Sequence, residues 1–282
     1  MSTKISWTEE TWNPTTGCDK VSPGCDHCYA LTMARRLKAM GQAKYQNDGD
    51  PRTSGPGFGL TCHPDTLDVA LRWRKPRTVF VNSMSDLFHL DVPYGFIVET
   101  WATMAAADRH TFQVLTKRPQ HMAKVVGDTN GATTFQHAVT IEAESSASWL
   151  GSVSWPLPNV WLGTSIETDR YTFRADHLRN TPAAVRFLSL EPLLGPLPSL
   201  DLAGIDWVIV GGESGARARP MDPSWVRDIR DRCVAEGVPL FVKQLGAVLG
   251  REWGCTHRAG AKVDEWPREF QFQQFPATPP QS

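Results

Sequence analysis

Short apolar runs rich in β-branched residues recur along the whole chain, each followed by a polar turn and then a helical pattern. They predict strands over 4–9, 78–83 (TVFVNS), 111–116 (TFQVLT), 160–165 (VWLGTS), 185–190 (VRFLSL), 206–211 (DWVIVG) and 239–243 (PLFVK). Runs that are apolar at nearly every position suit strands covered on both faces, as in a parallel sheet. Helical periodicity falls between them, at 30–40, 94–107, 119–126, 169–180 and 223–236, the last with Asp222 as N-cap before Pro223. Alternation of β and α elements through 282 residues implies an α/β fold, at a length that one barrel domain fills.

The residues just past each strand narrow the architecture. Asn82-Ser83-Met84-Ser85-Asp86, Thr116-Lys117-Arg118, Thr164-Ser165-Ile166-Glu167, Glu191, Gly211-Gly212-Glu213-Ser214 and Lys243-Gln244 each abut the end of an apolar run. A full or partial (β/α) barrel brings all of these ends to one face. A doubly wound sheet would gather only two or three of them at its switch point. Two stretches interrupt the pattern, 41–66 and 127–158, and are expected to be loop insertions with little core of their own. The barrel is expected over 1–268, with 269–282 a flexible tail.

Charges balance to a net of −1, so no global pull toward nucleic acid or anionic membrane is implied. The opening MSTKISWTEETWNP has no apolar core of a signal peptide, and no run is long enough to span a bilayer. A cytoplasmic protein is expected. In that reducing compartment its six cysteines point to metal binding or catalysis before disulfides.

Half of those cysteines fall within eleven residues: Cys18, Cys25 and Cys28, spaced C-x6-C-x2-C around Pro23-Gly24. The close pair can grip one metal or cluster edge, and the Pro-Gly turn lets Cys18 close around it. The loop follows the first strand and precedes a helix, which puts it on the active face. Three thiolates fit an iron–sulfur cluster with one open iron position. They also fit zinc if a fourth ligand joins, and His27, Cys62, His63 or His89 are the available donors. Cys233 lies on an apolar helical face and is expected in the core; Cys62 and Cys255 have no assigned role.

The string Thr11-Trp12-Asn13-Pro14 … Gly17-Cys18 … Ser22-Pro23-Gly24-Cys25-Asp26-His27-Cys28-Tyr29-Ala30 resembles the signature of a phage and bacterial three-cysteine-motif family related to radical SAM proteins. Ser83-Met84-Ser85-Asp86-Leu87-Phe88-His89, Leu188-Ser189-Leu190-Glu191-Pro192-Leu193 and Lys243-Gln244-Leu245-Gly246 extend the match over nearly the full chain. The resemblance implies a radical SAM-type barrel, a [4Fe–4S] cluster on Cys18, Cys25 and Cys28, and S-adenosylmethionine (SAM) on the open iron. It also implies an electron donor and cleavage of SAM to a 5′-deoxyadenosyl radical that acts on an unidentified substrate. Two departures stand out. The usual spacing is C-x3-C-x2-C with an aromatic before the third cysteine, where this chain has His27. The Gly-Gly-Glu that usually follows the second strand is replaced there by Ser83-Met84-Ser85-Asp86, and Gly211-Gly212-Glu213 follows the sixth.

Chemistry assigns expected roles. The SAM amine needs carboxylate or carbonyl partners, for which Asp86 or Ser85 is placed; its carboxylate needs a cation or hydroxyls, from Lys117, Thr164 or Ser165. Tyr29, Ser83 and Glu167 join this cofactor-binding set. Gly211 and Gly212 permit close backbone approach, with Glu213 on a ribose hydroxyl. Lys117, Glu191 and Glu213 are the candidates for catalysis; the bland alternative is a barrel-rim salt bridge, such as Lys117 with Glu191. The basic run Arg72-Trp73-Arg74-Lys75-Pro76-Arg77, with Arg35, Arg36, Arg217 and Arg219, is a candidate nucleic-acid contact in which Trp73 stacks a base. Two further readings differ in kind: a zinc-containing binding module on the same cysteines, and an iron–sulfur protein that does not cleave SAM.

Overall fold

The computed structural model describes residues 5–127, 134–147 and 154–277. Its strands are β1 (Glu10–Thr11), β2 (Thr15–Thr16), β3 (Thr61–Cys62), β4 (Thr78–Val81), β5 (Thr111–Thr116), β6 (Val160–Ser165), β7 (Val185–Leu190), β8 (Trp207–Gly211) and β9 (Leu240–Gln244). Seven of them form one sheet in the order β1-β4-β5-β6-β7-β8-β9, every neighbour parallel. The order never reverses, so there is no switch point. The sheet curls in one direction into a partial (β/α) barrel.

Alternation along each strand builds two separate cores. Val79 and Val81, Phe112 and Val114, Val160 and Leu162, Leu188 and Leu190, and Val208 and Val210 face outward into the main cluster. Their neighbours Phe80, Trp161, Phe187, Trp207, Ile209 and Phe241 point into the barrel and pack with Trp7. Gly163 lacks a side chain where the Phe187 ring passes; a Cβ there would lie 2.4 Å from it. The same inward parity, continued toward the strand ends, turns polar: Asn82, Lys117, Ser165, Ser189, Glu191 and Lys243. An aromatic base and a polar mouth arise from one alternating pattern.

Helices cover the outside: α1 (Tyr29–Ala39), α2 (Val69–Arg72), α3 (Tyr94–Ala106), α4 (Pro119–Val126), α5 (Phe135–Ala147), α6 (Phe173–Arg179), α7 (Pro223–Glu236) and α8 (Ala247–Glu252). Asp222 caps α7 by accepting from the Ser224 N–H, with Pro223 in the first turn. Cys233 on α7 is buried, as its position on an apolar face predicts. Among the described residues no helix is long and apolar enough to cross a membrane.

Several expectations need correction. The first strand lies at 10–11 rather than 4–9, because Trp7 dives into the barrel base and only Glu10 and Thr11 pair with Val79 and Phe80. The insertion 41–66 has packing of its own: β3 pairs antiparallel with β2, and Phe58 is buried with Ala30, Ala34 and Met84. Within 127–158, α5 buries Phe135, Val139 and Ala143 and stacks Phe135 edge-on against Trp101 of α3; residues 128–133 and 148–153 lie outside the described structure. The stretch 269–277, expected to trail off, runs beside β9 instead. Phe270 is fully buried against Trp253, the Val242 N–H donates to Phe272 O, and the Gln274 N–H donates to Leu240 O. Those bonds cover the last strand's open edge. The remainder of that tail, 278–282, lies outside the described residues.

Candidate functional site

A cavity of about 670 Å³ opens at the C-terminal ends of the strands. Its inner end is apolar, with Trp7, Phe80 and Leu115. Its mouth carries Cys18, Cys25 and Cys28 on one side and the polar strand ends on the others. This is the location and size expected of a small-molecule site in a barrel.

Two buried carboxylates anchor the cysteine loop. Glu167, past the end of β6 and wholly enclosed, accepts from Ser22 Oγ (2.9 Å) and pairs with Lys117 Nζ (2.6 Å) and Arg174 Nη1 (3.1 Å). Burial alone would raise its carboxyl; the two cations and the hydroxyl outweigh that and hold it below the ordinary glutamate value. Gly24 makes the fit possible, since a Cβ there would meet Glu167 Oε1 at 2.5 Å. Glu213, after β8, is the second anchor. It accepts from the Arg219 N–H (2.8 Å) and guanidinium (2.6 Å) and bonds His27 Nδ1 (3.0 Å), while Arg219 Nη2 reaches Pro23 O (2.9 Å). Burial opposes ionisation of Glu213 as well, and the Arg219 and His27 contacts prevail to lower it.

Cys18 is partly buried beside Asp86 and Arg118. Burial pushes its thiol up to about 12, the Asp86 charge adds to the rise, and the Arg118 guanidinium opposes it. Arg118 Nη1 lies 3.3 Å from Cys18 Sγ and 3.0 Å from Asp86 Oδ2. Asp86 also accepts from Thr116 Oγ1 (2.7 Å), the Lys117 N–H (3.1 Å) and the Phe88 N–H (3.0 Å). Burial raises the Cys28 thiol too, against backbone N–H groups of Ala30 and Leu31 at the start of α1.

The other sequence-derived residues divide into lining and supporting positions. Tyr29, Ser83, Ser85, Asp86, Lys117, Ser165, Glu191, Gly212 and Glu213 line the cavity. Thr164 instead donates to Thr116 O, and Glu167 holds Lys117 from behind. Gly211 leaves room for the Glu191 carboxylate, and Gly212 lets the backbones at Leu245 and Gly246 approach. The rim pair Lys117–Glu191 does not form; Lys117 pairs with Glu167, and Glu191 pairs with Lys243 at 3.0 Å. Ser189 Oγ, 3.4 Å from Glu191 Oε2, completes that side.

The donors considered as a fourth zinc ligand each have a contact of their own. His27 bonds Glu213, His63 Nε2 bonds Thr16 Oγ1 (2.8 Å), His89 bonds Asp19 (3.0 Å), and Cys62 packs against the main core. Cys255 is outside the cavity wall as well. Among the described residues no three His, Cys, Asp or Glu side chains form a single-ion site. The basic run 72–77 is not at the mouth: it leads into the N-terminal end of β4, Trp73 stacks edge-on against His110, and Arg77 pairs with Glu10. Trp73 is therefore a packing residue. Arg35, Arg36 and Arg217 are exposed, and Arg219 is committed to Glu213.

Sequence reasoning missed Ser22, Arg118 and Arg174, and read Arg219 as a nucleic-acid contact rather than as the partner of Glu213. Arg118 had a signal, a second cation directly after β5; the others are recognisable only once Glu167 and Glu213 are seen to turn toward the cysteine loop.

Among solved structures the chain is similar to a mutant spore photoproduct lyase, at 14% identity and a TM-score of 0.43, covering 86% of this chain and 58% of that one. A further mutant of that lyase, with bound AdoMet and dinucleoside spore photoproduct, gives 14% identity and a TM-score of 0.41, covering 82% and 62%. This chain thus spans less than two thirds of the length of those lyase chains. No curated protein matches it. The sequence profile of one family matches residues 2–276, and the chain belongs to that family, described as "Protein of unknown function (DUF5131)".

Proposed function

We propose that this chain is a radical-SAM-like iron–sulfur enzyme, with Cys18, Cys25 and Cys28 holding a [4Fe–4S] cluster at the cavity mouth and SAM bound beside it. One observation carries the proposal: three thiols from a single loop line one cavity at the strand ends, braced from behind by two buried carboxylates. The donor set fits. Three soft sulfurs with N–H donors nearby suit iron and sulfide. The resemblance of the cysteine loop to the three-cysteine-motif signature points to the same cofactor. When bound and reduced, the cluster supplies the electron that splits SAM into methionine and a 5′-deoxyadenosyl radical.

The chain's own residues then have distinct work. Ser83 and Ser85 receive the SAM amine. Asp86 does not, because its oxygens are already taken by Thr116, Arg118 and two backbone N–H groups. Ser165 and Lys117 take the carboxylate, with Glu167 fixing the direction of Lys117 and Thr164 the strand end beside it. Gly212 and Glu213 close the mouth, Glu213 through the loop it holds. Glu191 and Lys243 face the substrate, where the lightly bonded Glu191 Oε2 can hold or move a proton. The aromatic inner end excludes water from the reacting centre.

The deciding experiment is an iron and sulfide count on anaerobically purified protein. About four irons with equal sulfide are expected, with absorption at about 400 nm that Cys25→Ala abolishes. Incubation with SAM and dithionite should then yield 5′-deoxyadenosine. One zinc without sulfide overturns the proposal; a full cluster without 5′-deoxyadenosine restricts it to an iron–sulfur protein.

A further inference from the structure

The three thiols have different polar neighbours. Cys28 is at the start of α1, bonded by the backbone N–H groups of Ala30 and Leu31. Cys25 Sγ lies 4.0 Å from Ser22 Oγ, whose proton goes to Glu167. Of the three, only Cys18 is met by a guanidinium, with Arg118 Nη1 at 3.3 Å. That guanidinium cannot swing away. Its Nη1 is held by Asp86 Oδ2 at 3.0 Å, its Nη2 by Asp19 O at 3.1 Å, and its side chain is 11% exposed. Asp86 is itself fixed by Thr116, Lys117 and Phe88. A cation and an anion, both locked, therefore stand behind one sulfur.

We infer that Arg118 and Asp86 are an opposed pair of positioning residues that set the reduction potential of the cluster held through Cys18. This rests on the function proposed above. Reduction adds one electron, from a low-potential one-electron donor, to a cluster whose charge is already spread onto its thiolate ligands. A cation donating an N–H to a ligand sulfur stabilises the more negative state and raises the potential. A nearby carboxylate disfavours that state and lowers it. The pair is nearly neutral as a whole, so replacing either member uncovers the other.

The opposition makes the inference testable apart from activity. The full chain, loaded with iron and sulfide, is titrated with dithionite under redox mediators and the reduced cluster is followed by electron paramagnetic resonance. Arg118→Met should shift the potential downward, Arg118→Lys downward by less, and Asp86→Asn upward. A purely structural role would move the Arg118 and Asp86 variants in the same direction, which overturns the inference; so does a potential in Arg118→Met equal to or above the parent's. If Arg118→Met does not retain iron, Arg118→Lys and Asp86→Asn decide by the same criterion of opposite shifts. A parent chain that binds no cluster overturns the proposed function and this inference together. A loaded parent with unmoved variants overturns this inference alone.

Discussion

Lys117 Nζ lies 2.6 Å from Glu167 Oε1, and that carboxylate, also paired with Arg174, is wholly enclosed between the end of β6 and the cysteine loop. Removing its charge strands two cations in a buried setting. Glu167→Gln should therefore destabilise the metal-free protein by about 3–5 kcal/mol, measured by urea unfolding. An unchanged midpoint would show that Lys117 and Arg174 find water or other partners.

The same pair predicts a pH dependence. The folded-state Glu167 carboxyl is held below its ordinary value of 4.5, so its contribution to stability is complete above 4.5 and is lost as pH falls through the lower, folded value. Urea midpoints of the parent should fall below pH 4.5 more steeply than those of Glu167→Gln. Parallel curves would mean that other carboxylates dominate acid unfolding.

Gly24 leaves no room for an added methyl group on the cysteine loop. A Cβ would meet Glu167 Oε1 at 2.5 Å, and Glu167 cannot retreat because two cations hold it. Gly24→Ala should cost about 1–3 kcal/mol and speed loss of iron to a chelator. A variant that retains iron like the parent would show the loop to be more compliant than its contacts imply.

Inside the barrel, Gly163 and the Phe187 ring are complementary. Gly163→Ala overpacks and should cost about 1–3 kcal/mol; Phe187→Ala empties the base and should cost about 3–5 kcal/mol. The double variant should lose less than the sum, because the methyl group added at Gly163 then faces vacated space. Strict additivity in thermal or urea unfolding would argue that the ring moves aside freely.

Much of the fold was legible in the residues themselves. The runs at 111–116, 160–165 and 185–190 match β5, β6 and β7 end for end, because strands covered on both faces leave long apolar signatures. The mouth was legible too, since Lys117, Ser165, Glu191 and Lys243 all lie at the ends of apolar runs. Pairing was not. Glu167, Lys117 and Ser22 are far apart in sequence, and only the curl of the sheet brings them together. Glu191 found Lys243 rather than Lys117 for the same reason. Helix α5 did carry a signal, Phe135, Val139 and Ala143 at four-residue spacing, hidden by the polar stretch around it. Residues 4–9 misled in the opposite way: Ile5 and Trp7 look like strand but serve as a plug.

That plug has a kinetic meaning. With Trp7, Trp161, Phe187, Trp207 and Phe241 packed at the base of the barrel, the described residues close the inner end of the cavity, and its mouth lies beside the cysteines. Two ligands held one behind the other in such a cavity would load in sequence, the inner one first.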